Sequence, residues 1–375
     1  MKLSGNKILV TGGAGFIGSF VVDKLVSIGA EVIIYDNLTP QVHLDGTPPD
    51  YLNPNAEFIQ GDVLDYEKFK SVIGRVNGIV HLAAAVGVGQ SQYEIKHYVN
   101  TNTGGTANLL DILVNNDHNI EKMVVAASMS SYGEGNYLCE KDGVVRPNLR
   151  TEEQMAKGDW ELYCPLCGAR VEPVPTGEDA VQYCNSIYAM TKKDQEDMIL
   201  NIGKTYDLPA VALRFFNVYG PRQSLSNPYT GVAAIFLSRI KNGQSPLIFE
   251  DGLQTRDFIS VHDIADVICT VMEDEKADME VFNVGSGIPL SIKSISDTLA
   301  ELYGKDIAPN ITNKFRKGDV RHCFADISKI KNKIGWEPRI TFSEGMEELI
   351  NWGRDARADD KFEQSIKELK DKGIV

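Results

Sequence analysis

Short, unbroken apolar blocks recur along the first half of the chain, each followed by glycine-rich or polar residues and then by apolar pairs at helical spacing. Ile8-Leu9-Val10, Val32-Ile33-Ile34-Tyr35, Ala56-Glu57-Phe58-Ile59, Gly78-Ile79-Val80-His81 and Met123-Val124-Val125-Ala126-Ala127 have strand length. Such runs belong to strands buried on both faces. Val21-Val22 with Leu25-Val26, and later Leu109, Leu110, Ile112 and Leu113, mark helices with one apolar face. Strands alternating with helices predict an α/β fold with a doubly wound parallel sheet. Residues 39–55 carry four prolines and read as a surface loop. Beyond Asn217, helical patterns at 235–241, 292–302 and 343–352 mix with short strands, as in a smaller second α/β domain, and the charged tail 358–375 reads as a peripheral helix. The predicted division is 1–213 and 214–375, partly interleaved, with an insert at about 134–184.

The first strand runs into Thr11-Gly12-Gly13-Ala14-Gly15-Phe16-Ile17-Gly18. Strand, glycine turn and helix begin a dinucleotide-binding unit. Glycines permit the tight turn and the close approach of a pyrophosphate, and the helix start at Phe16 and Ile17 offers free N–H groups to it. Asp36 ends the second strand about 20 residues on, where a carboxylate takes the adenosine ribose hydroxyls. Asn37-Leu38-Thr39 brings no cation for a 2′-phosphate, so NAD is expected over NADP. Asp62, at the end of the third strand, is placed to accept the adenine amino group. The small residues after His81 (Leu82, Ala83, Ala84) let a cofactor lie close.

Composition is that of a globular protein, 43% apolar and 24% charged, with no apolar run near 18 residues. The chain enters a core strand almost at once, and a cytoplasmic location is expected. A net charge of −14 argues against nucleic acid and anionic membrane as partners. In such a setting six cysteines read as thiols or metal ligands rather than disulfides.

The fifth strand empties into Ser128-Met129-Ser130-Ser131-Tyr132, hydroxyls at the carboxyl end of the sheet, where such sheets bind ligands. Tyr188 and Lys192 stand four apart and share one helix face. An ammonium beside a phenol lowers the phenol's pKa, as a base working near neutrality requires. His81 more readily orders backbone than does chemistry.

Together these residues resemble the extended short-chain dehydrogenase/reductase family, in its NAD-dependent nucleotide-sugar epimerase/dehydratase branch. Thr11 to Gly18, Asp36, Asp62-Val63, His81 to Ala84, Asn102, Ser128, Tyr188 and Lys192 carry the resemblance. So do Arg214-Phe215-Phe216-Asn217, Gln254-Thr255-Arg256-Asp257, Asn283-Val284-Gly285, Arg316-Lys317-Gly318-Asp319 and Gly335-Trp336-Glu337-Pro338. The resemblance implies a catalytic Ser128, Tyr188 and Lys192. It implies NAD contacts also from Asn37, Val63, Asn102 and Phe216, and substrate contacts from Ser128, Ser130, Asn217, Arg256 and Arg316, the last three on the nucleotide diphosphate. Arginine forks suit phosphate oxygens; Arg214 is the weaker candidate. A homodimer is likewise implied.

Dehydratases and decarboxylases of this kind resemble one another in an acid just after the catalytic hydroxyl. Here Met129, Ser130 and Ser131 stand there, and the first acid is Glu134. Oxidation and reduction at one carbon remain, so 4-epimerisation of a dTDP- or UDP-sugar through a 4-keto intermediate is expected. The segment His81 to Glu94, with Ala85 to Ser91 within it, is small and apolar and suits a 6-deoxyhexose, and Gln41-Val42-His43 and the insert also resemble the subgroup acting on dTDP-rhamnose. UDP-glucose, UDP-galactose and their N-acetyl forms are the rivals. A reductase or dehydratase of the same family, or a binding protein on a dead scaffold, are the other readings, the last disfavoured by the intact Ser, Tyr and Lys.

The insert holds Cys139-Glu140-Lys141-Asp142-Gly143 and Cys164-Pro165-Leu166-Cys167-Gly168. The second is one knuckle of a zinc ribbon in form. The first is incomplete, with Asp142 or a distant Cys184 to supply a further ligand. Structural zinc on Cys139, Cys164 and Cys167, or free thiols in a folded loop, are the two readings.

Overall fold

The computed structural model describes residues 1–374. Strands β1 (Lys7–Thr11), β2 (Glu31–Asp36), β3 (Glu57–Gln60), β4 (Gly78–His81) and β5 (Lys122–Ser128) come from the first third of the chain. The insert contributes β6 (Asn136–Cys139), β7 (Gly143–Val145) and β8 (Glu172–Val174). There follow β9 (Ala210–Phe215), β10 (Asn217–Tyr219), β11 (Leu247–Ile248), β12 (Thr255–Ser260), β13 (Glu280–Val284), β14 (Pro289–Ser291), β15 (Asn310–Ile311) and β16 (His322–Cys323). The helices include α1 (Phe16–Ser27), α2 (Tyr66–Ile73), α3 (Val88–Ser91), α4 (Ile95–Tyr98), α5 (Gly105–Asn115), α6 (Glu152–Ala156) and α7 (Ile187–Thr205). The second half adds α8 (Val232–Lys241), α9 (Val261–Glu273), α10 (Ile292–Tyr303), α11 (Ser328–Ile334), α12 (Phe342–Asp355) and α13 (Phe362–Asp371).

Seven strands form one sheet in the order β13-β9-β5-β4-β1-β2-β3, every pair parallel. Alternate residues of each strand feed opposite cores. Ile8 and Val10 join Val21, Leu25, Ile264 and Ile268 under α1 and α9, whereas Leu9 joins Leu109, Leu113 and Ile199 under α5 and α7. Burial on both faces is why these strands read as unbroken apolar runs rather than alternating ones. The strand order reverses between β1 and β4, the crevice where doubly wound sheets bind ligands.

The predicted boundary at 213–214 falls inside β9, and β13 and α9 return to the sheet from the second half. The smaller region is a sheet of β10, β12, β14 and β16 beside α8, α10 and α12, with its own core around Leu237, Phe258, Leu299 and Met346. Between α4 and α5 the chain makes a π-turn, Val99–Gly104. The tail helix is α13, and it is not merely peripheral. Its Phe362, Ile366 and Leu369 are buried against Phe249, Leu247 and Tyr93, so it bridges both halves of the molecule.

Candidate active site

The glycine turn is shaped by what lies against it. Gly12 has φ +69°, and a Cβ there would sit 2.9 Å from the Ala83 nitrogen. A Cβ on Gly18 would come within 2.2 Å of the Gly12 carbonyl. Both positions admit only glycine. No side chain caps α1, which leaves the N–H groups of Phe16 and Ile17 open toward the crevice. Asp36 closes the turn: its carboxylate accepts from Ala14 N (3.1 Å) and Leu38 N (2.9 Å). Asp62 accepts from Asn37 Nδ2 at 3.0 Å and from Leu64 N at 2.9 Å. A backbone cradle only glycine can line, an open helix N-terminus and a strand-end carboxylate fit NAD, and Gly12, Gly15, Phe16, Ile17, Gly18 and Asp36 are the residues that would hold it.

Thr11 accepts N–H bonds from Leu82 (3.1 Å) and Ala83 (3.2 Å), which fixes the strand-end segment beside the turn. His81 is spent between Thr11 Oγ1 (2.8 Å) and Thr106 Oγ1 (3.1 Å), and burial with Lys192 nearby pushes its imidazole down to about 3. It orders backbone. Asn102 grips Ala85 through both amide atoms, Oδ1 accepting from Ala85 N at 2.7 Å and Nδ2 donating to Ala85 O at 3.1 Å. The same Nδ2 donates to Thr191 on α7 at 3.0 Å. Asn102 thus ties the cofactor-side loop to the helix that carries Tyr188 and Lys192. Phe216 packs beside Tyr132 in a small core with Cys323 and Ala325.

Ser186 caps α7 by accepting from Ala189 N, so the helix starts just before Tyr188. The Tyr188 nitrogen donates to Ser91 Oγ at 3.0 Å, and Tyr98 meets the Tyr188 ring edge-on at 6.4 Å. Ser128, at the end of β5, lies beside the Tyr188 hydroxyl and accepts from Ser130 Oγ at 2.9 Å. One expectation is corrected. The phenol is not lowered in the protein alone: burial pushes Tyr188 up to about 12, against the smaller lowering effect of Ser128. Burial likewise pulls Lys192 down to about 7, and its ammonium donates to the Ala126 carbonyl at 2.8 Å. Desolvation outweighs the pairing that the four-residue spacing implied.

The two arginines expected on the diphosphate converge on a residue not foreseen, Asp319. Arg316 donates to Asp319 Oδ2 through Nε (3.0 Å) and Nη2 (2.8 Å) and lies over the Phe249 ring. Arg256 stands 4.0 Å from the same carboxylate, its guanidinium fixed by the carbonyls of Thr255, Val320 and Arg321. Burial raises the Asp319 carboxyl, but the arginines more than offset this and keep it below the usual carboxylate range. Asn217 carries a buried amide oxygen without a partner among the described residues, an acceptor that only a donor group would satisfy. Arg214 is structural, forked on Glu196 at 2.9 and 2.6 Å and bonded to the Tyr132 hydroxyl. Asp319 was legible in its motif; Thr11, Ser91 and Tyr98 act through tertiary contacts and leave no local signal.

Glu134, the first acid after Ser128, is consumed in backbone bonds. It accepts from Arg321 N at 2.7 Å, from Tyr137 Oη at 3.0 Å and from His322 N at 3.3 Å. In the insert, Cys139, Asp142, Cys164 and Cys167 place their ligand atoms within 4.8 Å of one another. Cys184 stands apart, against the Ser131 carbonyl.

Residues 8–153 match the NAD dependent epimerase/dehydratase family and residues 168–349 the GDP-mannose 4,6 dehydratase family. The chain is 34% identical to the dTDP-L-rhamnose 4-epimerase of Burkholderia thailandensis, over 93% of this chain and 95% of that protein. Among solved structures it is similar to the UDP-glucose 4-epimerase of Thermotoga maritima with UDP-glucose (TM-score 0.76, 31% identity, covering 93% and 98% of the two chains). It is also similar to the UDP-glucuronic acid 4-epimerase of Bacillus cereus with UDP-glucuronic acid and NAD (TM-score 0.73, 26% identity, covering 93% and 99%). Glycine cradle, Ser-Tyr-Lys constellation and paired arginines thus occur together on a chain that belongs to the NAD-dependent epimerase/dehydratase family.

Proposed function

We propose that the protein is a nucleotide-sugar 4-epimerase acting on a dTDP-6-deoxyhexose such as dTDP-rhamnose. The observation that carries this reading is the acid inventory around Ser128. Met129, Ser130 and Ser131 bring no carboxylate, and Glu134 is buried in bonds to Arg321, His322 and Tyr137. Elimination at a neighbouring carbon has no acid or base to run it, whereas reversible oxidation at one carbon needs only Ser128, Tyr188 and Lys192.

NAD, when bound, would supply a reversible acceptor for the C4 hydride, taking it and giving it back, and a positive charge that favours the phenolate. Tyr188 takes the proton of the sugar O4 and Ser128 donates a hydrogen bond to the same oxygen, giving a 4-keto sugar. Lys192, one helical turn from Tyr188 on α7, would stabilise the phenolate and help to hold the cofactor's nicotinamide ribose. Arg256, Arg316 and Asn217 anchor the diphosphate, so the sugar turns its other face without leaving, and Tyr188 returns the proton. Asn37, Asp62, Val63, Leu82, Ala83, Ala84, Asn102 and Phe216 belong to the cofactor side, and Ser130 to the sugar side through Ser128.

Incubation with a panel of dTDP-, UDP- and GDP-sugars, followed by NMR, should show a C4 epimer of the dTDP-6-deoxyhexose. Conversion of UDP-glucose alone would move the reading to a UDP-glucose/galactose epimerase, and a reduced or dehydrated product would overturn it. A homodimer through α5 and α7 is supported by the apolar outer groove of Ala107, Leu110, Val114, Met198 and Ile202, and light scattering checks it. Substrate and cofactor class favour the cytoplasm; among the described residues no helix is long and apolar enough to cross a membrane. Structural zinc in the insert is a separate proposal, independent of the sugar.

A further inference from the structure

The insert has more cysteine than core. Its buried apolar cluster is Tyr137, Cys139, Val145, Leu162, Cys164 and Val171, and two of these six are thiols. Burial on this scale does not stabilise a module of three short strands, and small modules of this kind rely on a cross-link or a metal. The strands β7-β6-β8 form one antiparallel sheet, and Tyr163 bridges Arg170 to make a second hairpin. At the tip of each hairpin stands a turn of the same form: Cys139-x-x-Asp142-Gly143 and Cys164-x-x-Cys167-Gly168. The closing glycines have nearly the same left-handed backbone, φ +74° at Gly143 and +73° at Gly168. The second turn points a backbone N–H, from Leu166, at the Cys164 sulfur at 3.4 Å. The two turns face each other.

We propose that Cys139, Asp142, Cys164 and Cys167 bind one zinc-class divalent ion that joins the two hairpins of the insert. The spacings are close to those of a tetrahedral site and need only small side-chain shifts to reach one. Cys139 Sγ lies 3.5 Å from Cys167 Sγ, and Asp142 Oδ2 lies 3.4 Å from Cys139 Sγ and 3.1 Å from Cys164 Sγ. Four ligands about 2.0–2.3 Å from a central zinc stand about 3.5–3.8 Å apart. Three thiolates and one carboxylate form a closed donor set that selects zinc over magnesium or calcium. Cys139 and Cys164 are buried, while Cys167 and Asp142 are exposed, so the ion has an entry path. The site is structural, with every position taken by protein.

The full-length protein, equilibrated with zinc and dialysed, should retain one zinc per chain. Competition with a chromophoric chelator should give a Kd tighter than about 100 nM. Cobalt in its place should show thiolate-to-cobalt charge transfer and tetrahedral visible bands. Cys167→Ser, at an exposed ligand, should weaken zinc binding at least about 100-fold. Asp142→Cys completes a four-cysteine site and should tighten binding, which guards against a Cys167 variant that only misfolds. A protein that retains no zinc, a native Cys164–Cys167 disulfide, or an affinity unmoved by both substitutions would each overturn the site.

Discussion

Lys192 is buried without a carboxylate partner, and only the Ala126 carbonyl accepts from it. Burial pulls its pKa from 10.5 to about 7, so between about pH 7 and 10.5 the unfolded chain binds a proton the folded one does not. Stability therefore rises with pH across that window, and below about 7 the full penalty is present. It is on the order of a few kcal/mol. Lys192→Met should leave the cofactor-free protein at least as stable at pH 7, with an advantage over wild type that shrinks toward pH 10, while kcat falls by about 10²-fold or more. Thermal unfolding at several pH values checks the first part and NMR of turnover the second. Tyr188→Phe keeps the packing against Tyr98 but removes the proton acceptor. Turnover should fall below detection with NAD still bound; surviving epimerisation would remove Tyr188 from the chemistry. Asp319 tests positioning instead. Asp319→Asn keeps the shape and loses the charge that gathers Arg256 and Arg316, so KM for the nucleotide sugar should rise about 10-fold with kcat little changed.

Elements differ in how far their sequence announces them. Sheet strands and the helices that cover them were legible, because burial on both faces of a parallel sheet leaves unbroken apolar runs that nothing else in the chain imitates. The glycine turn was legible for a steric reason, since a Cβ at Gly12 or Gly18 collides with backbone. The π-turn at Val99–Gly104 was not, because a widened helix is selected by what it places, here Asn102 against Ala85 and Thr191, and not by propensity. Nor was the role of α13, whose charged surface conceals Phe362, Ile366 and Leu369 at helical spacing. The Tyr188–Lys192 spacing placed both residues on one helix and missed the direction of the pKa shift, since periodicity reports neighbours and not desolvation. The insert shows the same division: the second knuckle is visible as Cys-Pro-Leu-Cys-Gly, while only folding brings Asp142 rather than Cys184 to it.

At the scale of the whole molecule, the insert is fastened to the substrate side by buried charge. Arg321 is fully buried and donates to Glu250 (2.9 Å), Asp251 (2.7 and 2.9 Å) and Glu161 of the insert (2.8 Å). Arg150, also of the insert, forks onto Glu250 at 2.8 and 2.9 Å and donates to the Asp319 carbonyl at 3.0 Å. The backbone of Arg321 and Val320 in turn fixes Arg256. A chain of bonds thus runs from the insert to the arginines of the diphosphate site, and Glu250 is its hub. Glu250→Gln keeps the volume but leaves the buried Arg150 guanidinium without its carboxylate partner, while Arg321 keeps Asp251 and Glu161. Breaking a buried pair in this way costs about 3–5 kcal/mol. The loss should be read in denaturant unfolding as a lower midpoint, together with a raised KM for the nucleotide sugar and unchanged retention of NAD, since none of these bonds reaches the glycine turn. A variant that lost NAD and sugar affinity equally would show that the insert supports the whole sheet and not the substrate side alone.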